Sequence, residues 1–232
     1  MGSTQSELKS YLQGSPVKDR LVGLMAQSQR EGRGRGVSKW HDIPGKSLLM
    51  SVYLPWPWSF ATPFDVNRWI CVQLSHALPE GTSFKWPNDL MLGDKKLGGL
   101  LIENHWNSQG IYASIVGIGI NVVSDDGAHE RAAFFNEAIE TSIEPKQLAL
   151  QLLQLFQAGL LAPPPQVDAM RKQYYQLLWG RSDWKCYEDA AGQFSAQVQH
   201  ITPEGALVLK PKEGPSRVYQ LDEVKLSEAP CQ

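Results

Sequence analysis

The sequence predicts a mixed α/β protein in which a central sheet is backed by helices and is followed by a small β-barrel or sheet. Three observations predict this class. Strand-like apolar runs alternate with segments of helical period up to about residue 180, and only short β-like runs follow. The composition, with 42% hydrophobic and 20% charged residues over 232 positions, is that of a globular protein with a sizeable core. We therefore expect two domains, residues 1–181 and residues 182–232.

The chain begins with a predicted helix. Thr4 and Glu7 have the spacing of a capping box, and apolar residues then fall on one face of a helix that ends at Gly14. Residues 29–36 have neither an apolar period nor β propensity, so they form a loop. Runs of β-forming residues predict strands on either side of this loop, at residues 21–27 and 47–54.

The middle of the chain predicts a core helix and three strands. Apolar residues keep helical spacing from Val66 to Leu78, where Pro79 and Gly81 end the helix. The strands follow at residues 83–86, 96–103 and 111–122. The last two are nearly continuous apolar runs, which is typical of central strands.

Two helices and a β-rich segment complete the chain. Apolar spacing predicts helices over residues 147–160 and 167–178, separated by three prolines at 163–165. Turn signals then divide four short β-like runs, at residues 184–187, 194–201, 206–210 and 217–221.

Composition and charge exclude several function classes. The chain has 22 Lys and Arg residues against 24 Asp and Glu residues, and this net charge of −2 argues against bulk nucleic-acid binding. Its five histidines show no metal-ligand spacing, so we expect no metal site. The three cysteines include no CxxC pair, and neither a signal peptide nor a membrane-spanning run is visible. We therefore expect a cytoplasmic protein with reduced thiols.

The most informative segment is a glycine-arginine loop at residues 32–36, which Lys39 and Trp40 follow closely. Its three glycines let the backbone bend toward a ligand, while Arg33 and Arg35 supply fixed positive charge. Such a loop suits an anion, most naturally a phosphate. From these residues alone, a solvated basic turn and an RNA-contacting segment remain open alternatives.

Two further segments carry polar residues at predicted strand ends. Asn88 and Asp89 follow Lys85-Trp86-Pro87, and Lys96 in the next strand returns an ammonium to the same cleft. Residues 117–121 read Gly-Ile-Gly-Ile-Asn, with small residues at alternate positions and an amide at the strand exit. For the first segment, the alternative interpretation is a tight hairpin with surface lysines. For residues 117–121, it is ordinary packing within a sheet.

Taken together, four segments resemble the biotin-protein ligases. They are Ser3-Thr4-Gln5, QREGRGRGVSKW at 29–40, KWPNDLMLGDKKLGG at 85–99 and GIGIN at 117–121. The resemblance extends to about residue 226 and implies that the C-terminal domain is an SH3-like barrel. It also implies an enzyme that makes biotinyl-5′-AMP from biotin and ATP with Mg²⁺, then transfers biotin to a lysine of a biotin carboxyl carrier protein.

The resemblance assigns roles to individual residues. Biotin is expected to contact Ser3, Thr4, Gln5, Gln29, Gly32, Arg33, Gly34, Arg35, Lys96 and Gly99. The adenylate side is expected to contact Arg33, Arg35, Trp40, Asn88, Asp89, Lys96 and Asn121. Arg33, Arg35 and Lys96 would offset the charge where a carboxylate attacks a phosphate. Asp89 would orient the acceptor lysine or accept its proton.

The sequence departs from this family at its start. Gln5 stands where many relatives have Asn, so one amide contact is expected to be rearranged. The chain begins at the Ser-Thr-Gln motif, so we expect no helix-turn-helix domain and no DNA binding, in a monomer or homodimer. Two alternatives remain: a lipoate or octanoate ligase, which uses related chemistry, and a non-catalytic RNA-binding module using the basic loop and Trp40.

Overall fold

A computed structural model describes residues 1–15, 17–36, 39–125, 130–227 and 231, and its centre is a six-stranded antiparallel sheet. The strands are β1 (Val22–Ala26), β2 (Ser47–Pro55), β3 (Thr82–Lys85), β4 (Asp89–Leu92), β5 (Lys95–Asn107) and β6 (Gly110–Asn121). Their spatial order is β1-β2-β6-β5-β4-β3. The predicted fold class is confirmed, and β5 and β6 are central neighbours as their apolar sequences indicate.

Among the described residues, four α-helices accompany this sheet: α1 (Thr4–Gly14), α2 (Pro63–Ser75), α3 (Pro145–Leu161) and α4 (Val167–Gln176). The predicted capping box at the start of α1 is wrong, because Ser3 is the N-cap residue and its side chain makes no capping bond. A capping box instead joins Thr62 and Asp65 at the start of α2, just before and after Pro63. Within the described residues, no helix is both long and apolar enough to cross a bilayer.

The short strand β4 is absent from the sequence prediction. Its four residues lie between the turn formers Asn88 and Gly93, and the sequence pattern predicts no strand over them. In the structure β4 pairs with β3 on one side and β5 on the other. Pairing on both edges stabilises a strand that is too short to be recognised from its own sequence.

A second antiparallel sheet follows the helices. Its strands are β7 (Lys185–Asp189), β8 (Gly192–Ile201), β9 (Leu207–Pro211), β10 (Arg217–Tyr219) and β11 (Lys225–Leu226), in the order β10-β9-β8-β7-β11. The two-residue β11 is a further strand that the sequence did not predict. The predicted domain boundary at residue 181 falls between the end of α4 and the start of β7. The SH3-like character of this sheet remains a prediction.

A buried ionic cluster fastens the second sheet to the first domain. Arg68 of α2 is only 1% exposed; it bonds Asp65 at 2.8 Å and also donates to the backbone carbonyls of residues 201–203. Arg171 of α4 donates twice to the same Asp65 carboxylate, at 3.0 and 2.7 Å. Burial tends to raise the pKa of Asp65, but the hydrogen bonds from Arg171 and Arg68 hold it below its ordinary value. The cluster therefore joins α2, α4 and the turn after β8.

The second sheet also contains a disulfide, which corrects the prediction of three reduced thiols. Cys186 on β7 is bonded to Cys231, which lies 45 residues later. The pairing of β11 with β7 brings the end of the chain back to Cys186, and Ser227 N–H donates to the Cys186 carbonyl at 2.8 Å. Sequence spacing could not reveal this approach. Cys71 is buried in the core as predicted, and burial raises the pKa of its thiol.

Replacing Cys231 with serine is expected to lower the free energy of unfolding by about 2–4 kcal/mol, because the cross-link restricts the unfolded chain. Urea unfolding of the oxidised protein measures this loss. A reductant should produce the same loss in the wild-type protein and leave Cys231→Ser unchanged. Equal stability of the two oxidised proteins would contradict the prediction.

Candidate active site between the two sheets

A cavity of about 770 Å³ lies between the first sheet and the second, a volume that suits a small-molecule ligand. From the first domain it takes these predicted site residues: Ser3, Thr4, Gln5, Gln29, Arg33, Gly34, Arg35, Trp40, Asn88, Asp89, Lys96 and Gly99. The second sheet and its turns contribute Tyr187, Val198, Leu207, Asp222, Val224, Lys225 and Leu226. Segments that are far apart in sequence thus meet around one cavity, and both domains line it.

One end of the cavity is a connected network of buried polar groups. The side-chain amide oxygen of Gln29, Oε1, accepts hydrogen bonds from the Thr4 N–H at 2.7 Å and the Thr4 hydroxyl at 3.1 Å. The Thr4 hydroxyl lies 2.8 Å from the Ser51 hydroxyl, which donates to the Gln5 amide oxygen at 3.1 Å. The Gln5 amide then donates to the Ile115 carbonyl at 3.3 Å. A buried network satisfied in this way holds its members in fixed positions.

Two glycines of β6 leave space for side chains that pack directly against the strand backbone. A Cβ on Gly119 would lie 2.7 and 2.8 Å from atoms of the Trp40 ring, and one on Gly117 would lie 2.9 Å from the Gln5 amide oxygen. Gly119 therefore requires glycine because it meets the Trp40 ring, whereas a Cβ on Gly117 would meet the end of the Gln5 side chain and displace it. Both glycines shape the cavity as well as the sheet. The Trp40 indole N–H is buried and has no hydrogen-bond partner within the described structure. Buried donors normally have a partner, so this group is available to a ligand.

Lys96 and Asp89 form an ion pair inside the cavity. The Lys96 ammonium is 2.6 Å from the Asp89 carboxylate and 5.9 Å from the centre of the Trp40 ring. The Lys96 backbone is held by the carbonyl of Arg131 and by the N–H of Ala133, at 2.8 and 2.9 Å. This arrangement presents a positioned cation to an incoming anion.

Asn121 does not line the cavity, although it was predicted to contact the adenylate. Its amide donates to the carbonyls of Lys96 and Ala133, at 3.2 and 3.3 Å. Asn121 thus supports the backbone at Lys96 from the end of β6. Gly32 also lies outside the lining, where a Cβ would come within 2.6 Å of the Trp40 carbonyl. Asn121 therefore contacts the lining residue Lys96, and Gly32 contacts the lining residue Trp40.

The glycine-arginine loop folds over the cavity. Arg33 and Lys39 form an antiparallel bridge, while Val37 and Ser38 of the motif at residues 29–40 lie outside the described residues. Arg35 reaches the second sheet, where its guanidinium is 2.5 Å from one carboxylate oxygen of Asp222 and 3.4 Å from the other. The loop is therefore joined to the C-terminal domain by an ion pair.

Sequence reasoning missed several lining residues, among them Ser51, Lys85, Trp179, Asp222 and Lys225. Lys85 had a signal, since it opens the Lys-Trp-Pro-Asn-Asp motif. Burial lowers its pKa, an effect that the charge of Asp89 opposes. The two residues of the C-terminal domain had no local signal, because only the packing of the second sheet brings them to the cavity.

The charges in the cavity favour an anion. Its lining includes six cationic side chains, Arg33, Arg35, Lys39, Lys85, Lys96 and Lys225. Its carboxylates are Asp89 and Asp222, and both are paired with cations. No group of three or more acidic, histidine or cysteine side chains in the described ranges is arranged to hold a metal ion. This donor set does not fit a metal held by the protein alone.

Comparisons with known proteins agree with the motifs. The model of the biotin/lipoate A/B protein ligase family matches residues 1–121. The bifunctional ligase/repressor BirA of Bacillus spizizenii is 26% identical over 242 residues, covering 96% of this chain and 71% of the relative. A biotin–[acetyl-CoA-carboxylase] ligase of Paracoccus denitrificans is 42% identical over 141 residues, covering 57% of this chain and 58% of the relative. The resemblance to the biotin-protein ligases is thereby confirmed.

Solved structures share the fold of both domains. The biotin protein ligase of Aquifex aeolicus in complex with biotin and ATP superimposes with a TM-score of 0.73 at 24% identity, over 97% of this chain and 96% of that one. The Leishmania major ligase in complex with biotinyl-5-AMP gives 0.61 at 20% identity, over 94% and 95%. Fold, motifs and family match agree, and the chain belongs to the biotin/lipoate A/B protein ligase family.

Proposed function

We propose that this protein is a biotin–[acetyl-CoA-carboxylase] ligase, which activates biotin with ATP and transfers it to a lysine of a biotin carboxyl carrier protein. The observation that carries the proposal is the joint cavity, with a buried polar network at one end and a cluster of cations beside it. The polar end suits the ring of biotin, and the cations suit its carboxylate together with the phosphates of ATP.

In the first step the biotin carboxylate attacks the α-phosphorus of ATP, forming the mixed anhydride biotinyl-5′-AMP and releasing pyrophosphate. Two anions must approach each other, and negative charge accumulates at phosphorus. Lys96, Arg33 and Arg35 offset this charge, and Trp40 packs beside the adenylate. Mg²⁺ would enter with ATP as part of the substrate, because no group of three or more ligating side chains in the described residues is arranged to hold it.

In the second step the amine of the acceptor lysine attacks the acyl carbon, forming an amide and releasing AMP. The amine must first lose a proton from a group whose ordinary pKa is about 10.4. Asp89 orients this amine or accepts its proton. Until the carrier protein binds, the glycine-arginine loop keeps water away from the anhydride.

The polar network distinguishes biotin from the acids used by related ligases. Thr4, Gln5, Gln29 and Ser51 place hydroxyl and amide groups in the lining of the cavity. An octanoyl or lipoyl chain has no polar group that could hydrogen-bond there, and burial of polar groups against an apolar chain is costly. The biotin ring carries polar groups and compensates this loss.

The test is pyrophosphate exchange into ATP, with biotin, lipoate or octanoate as the acid. Exchange with biotin alone is expected, followed by transfer to a biotin carboxyl carrier domain. Asp89→Asn separates the two steps, since it should slow transfer from preformed biotinyl-5′-AMP; unchanged transfer would remove Asp89 from the second step.

Other outcomes point to other functions. Exchange with lipoate or octanoate and not with biotin would assign the protein to the other branch of the family. No exchange with any acid, combined with strong salt-sensitive RNA binding in the absence of ATP, would favour the RNA-binding module.

A further inference from the structure

Asp222 differs from the other non-glycine residues of the cavity in its backbone conformation and in its ion pair with Arg35. It lies between β10 and β11 with φ of 70°, in a left-handed conformation that Asp and Asn tolerate better than most residues. Its carboxylate faces the Arg35 guanidinium across the domain boundary, with both oxygens in contact. A turn of the C-terminal domain thus reaches the loop that was predicted to bind phosphate.

The two Asp222 carboxylate oxygens contact the two terminal nitrogens of the Arg35 guanidinium, in the way that two phosphate oxygens would. Carboxylate and phosphate oxygens are alternative partners for the same guanidinium geometry. Asp89, the other carboxylate in the lining, is paired with Lys96. A negative charge at Asp222 also opposes the arrival of a triphosphate in a cavity where cationic side chains outnumber carboxylates.

We propose that Asp222 is a placeholder for a nucleotide phosphate: it holds Arg35 in the free protein and releases it when ATP binds. The inference rests on the proposed function and adds a positioning residue to it. Asp222 acts through Arg35 and sets the affinity for the nucleotide.

The sign of the effect follows from a thermodynamic cycle. An interaction that exists only in the free protein stabilises the free protein and therefore weakens binding. Exposed ion pairs are weak, and the Asp222 side chain is 76% exposed, so the effect is modest. Removing the charge should tighten ATP binding by about fivefold.

The test measures binding of α,β-methylene ATP by calorimetry to wild-type protein and Asp222→Asn. Asparagine tolerates the same left-handed backbone, so the variant changes the charge and keeps the turn. We expect a Kd about fivefold lower for the nucleotide and no change in the Kd for biotin. In exchange assays, KM for ATP should fall while kcat stays the same. In an Arg35→Gln background, Asp222→Asn should have no effect on the Kd.

Asp94→Asn is the matched control. Asp94 is 73% exposed and also pairs with a cation, Lys185 at 2.8 Å, but it lies outside the cavity lining. The affinity of the Asp94→Asn variant for the nucleotide should equal that of the wild type. If Asp222→Asn bound the nucleotide as tightly as or more weakly than the wild type, the placeholder role of Asp222 would be overturned and the proposed function would stand. The same conclusion would follow if Asp222→Asn lowered the Kd for the nucleotide equally in the Arg35→Gln background. Wild-type protein that binds no nucleotide would overturn the proposed function and this inference with it.

Discussion

Replacing Lys96 with alanine is expected to lower the rate of biotin-dependent pyrophosphate exchange by about a thousandfold. Lys96 is the cation paired with Asp89 inside the cavity, and its backbone is held in place by residues 131–133 and by Asn121. Removing the ammonium takes away a positioned charge at the point where two anions react. It also leaves the Asp89 carboxylate without its partner, which adds repulsion toward both substrates.

Lys95→Ala provides the control for Lys96→Ala. Lys95 is the neighbouring residue of β5, so its side chain projects to the opposite face of the sheet, and it is exposed and absent from the cavity lining. Its exchange rate should be close to that of the wild type. If Lys96→Ala kept more than about a tenth of the wild-type rate with an unchanged circular dichroism spectrum, the assigned role of Lys96 would be wrong.

Arg68→Met is expected to lower the free energy of unfolding by about 3–5 kcal/mol. The Arg68 side chain is 2% exposed, and its partner Asp65 is fully buried. The substitution leaves Asp65 with Arg171 as its remaining charge partner and leaves the carbonyls of residues 201–203 without their donor. Buried polar groups that lose their partners account for most of this cost.

Urea unfolding measures the effect of Arg68→Met, with Arg20→Met as the control. Arg20 is 78% exposed and its nearest carboxylate, on Asp19, is 3.9 Å away, so its loss should change stability by less than about 0.5 kcal/mol. A similar small change for Arg68→Met would show that the cluster contributes little to joining the domains. The variant should also bind nucleotide more weakly, because residues 201–203 orient the sheet that carries the cavity cation Lys225.

Local patterns in the sequence predicted the elements whose signals are strong in themselves. The apolar period of α3, the paired apolar runs of β5 and β6, and the prolines between α3 and α4 all specify structure over short distances. Short strands were missed where turn formers flanked them. β4 and β11 exist because neighbouring strands pair with them, and such support is invisible in a window of a few residues.

The sequence by itself identified the family and predicted most of the motif residues that line the cavity, because the motifs around Arg33, Asn88 and Gly117 are contiguous segments. Only the tertiary structure decided that Trp40 lies against Gly119, that Asn121 supports Lys96, and that Arg35 meets Asp222. The physical reason is distance along the chain. Asn121 and Lys96 are 25 positions apart, and Arg35 and Asp222, which are 187 positions apart, become neighbours only after the second sheet docks. That docking depends on packing and on buried ion pairs rather than on any local pattern.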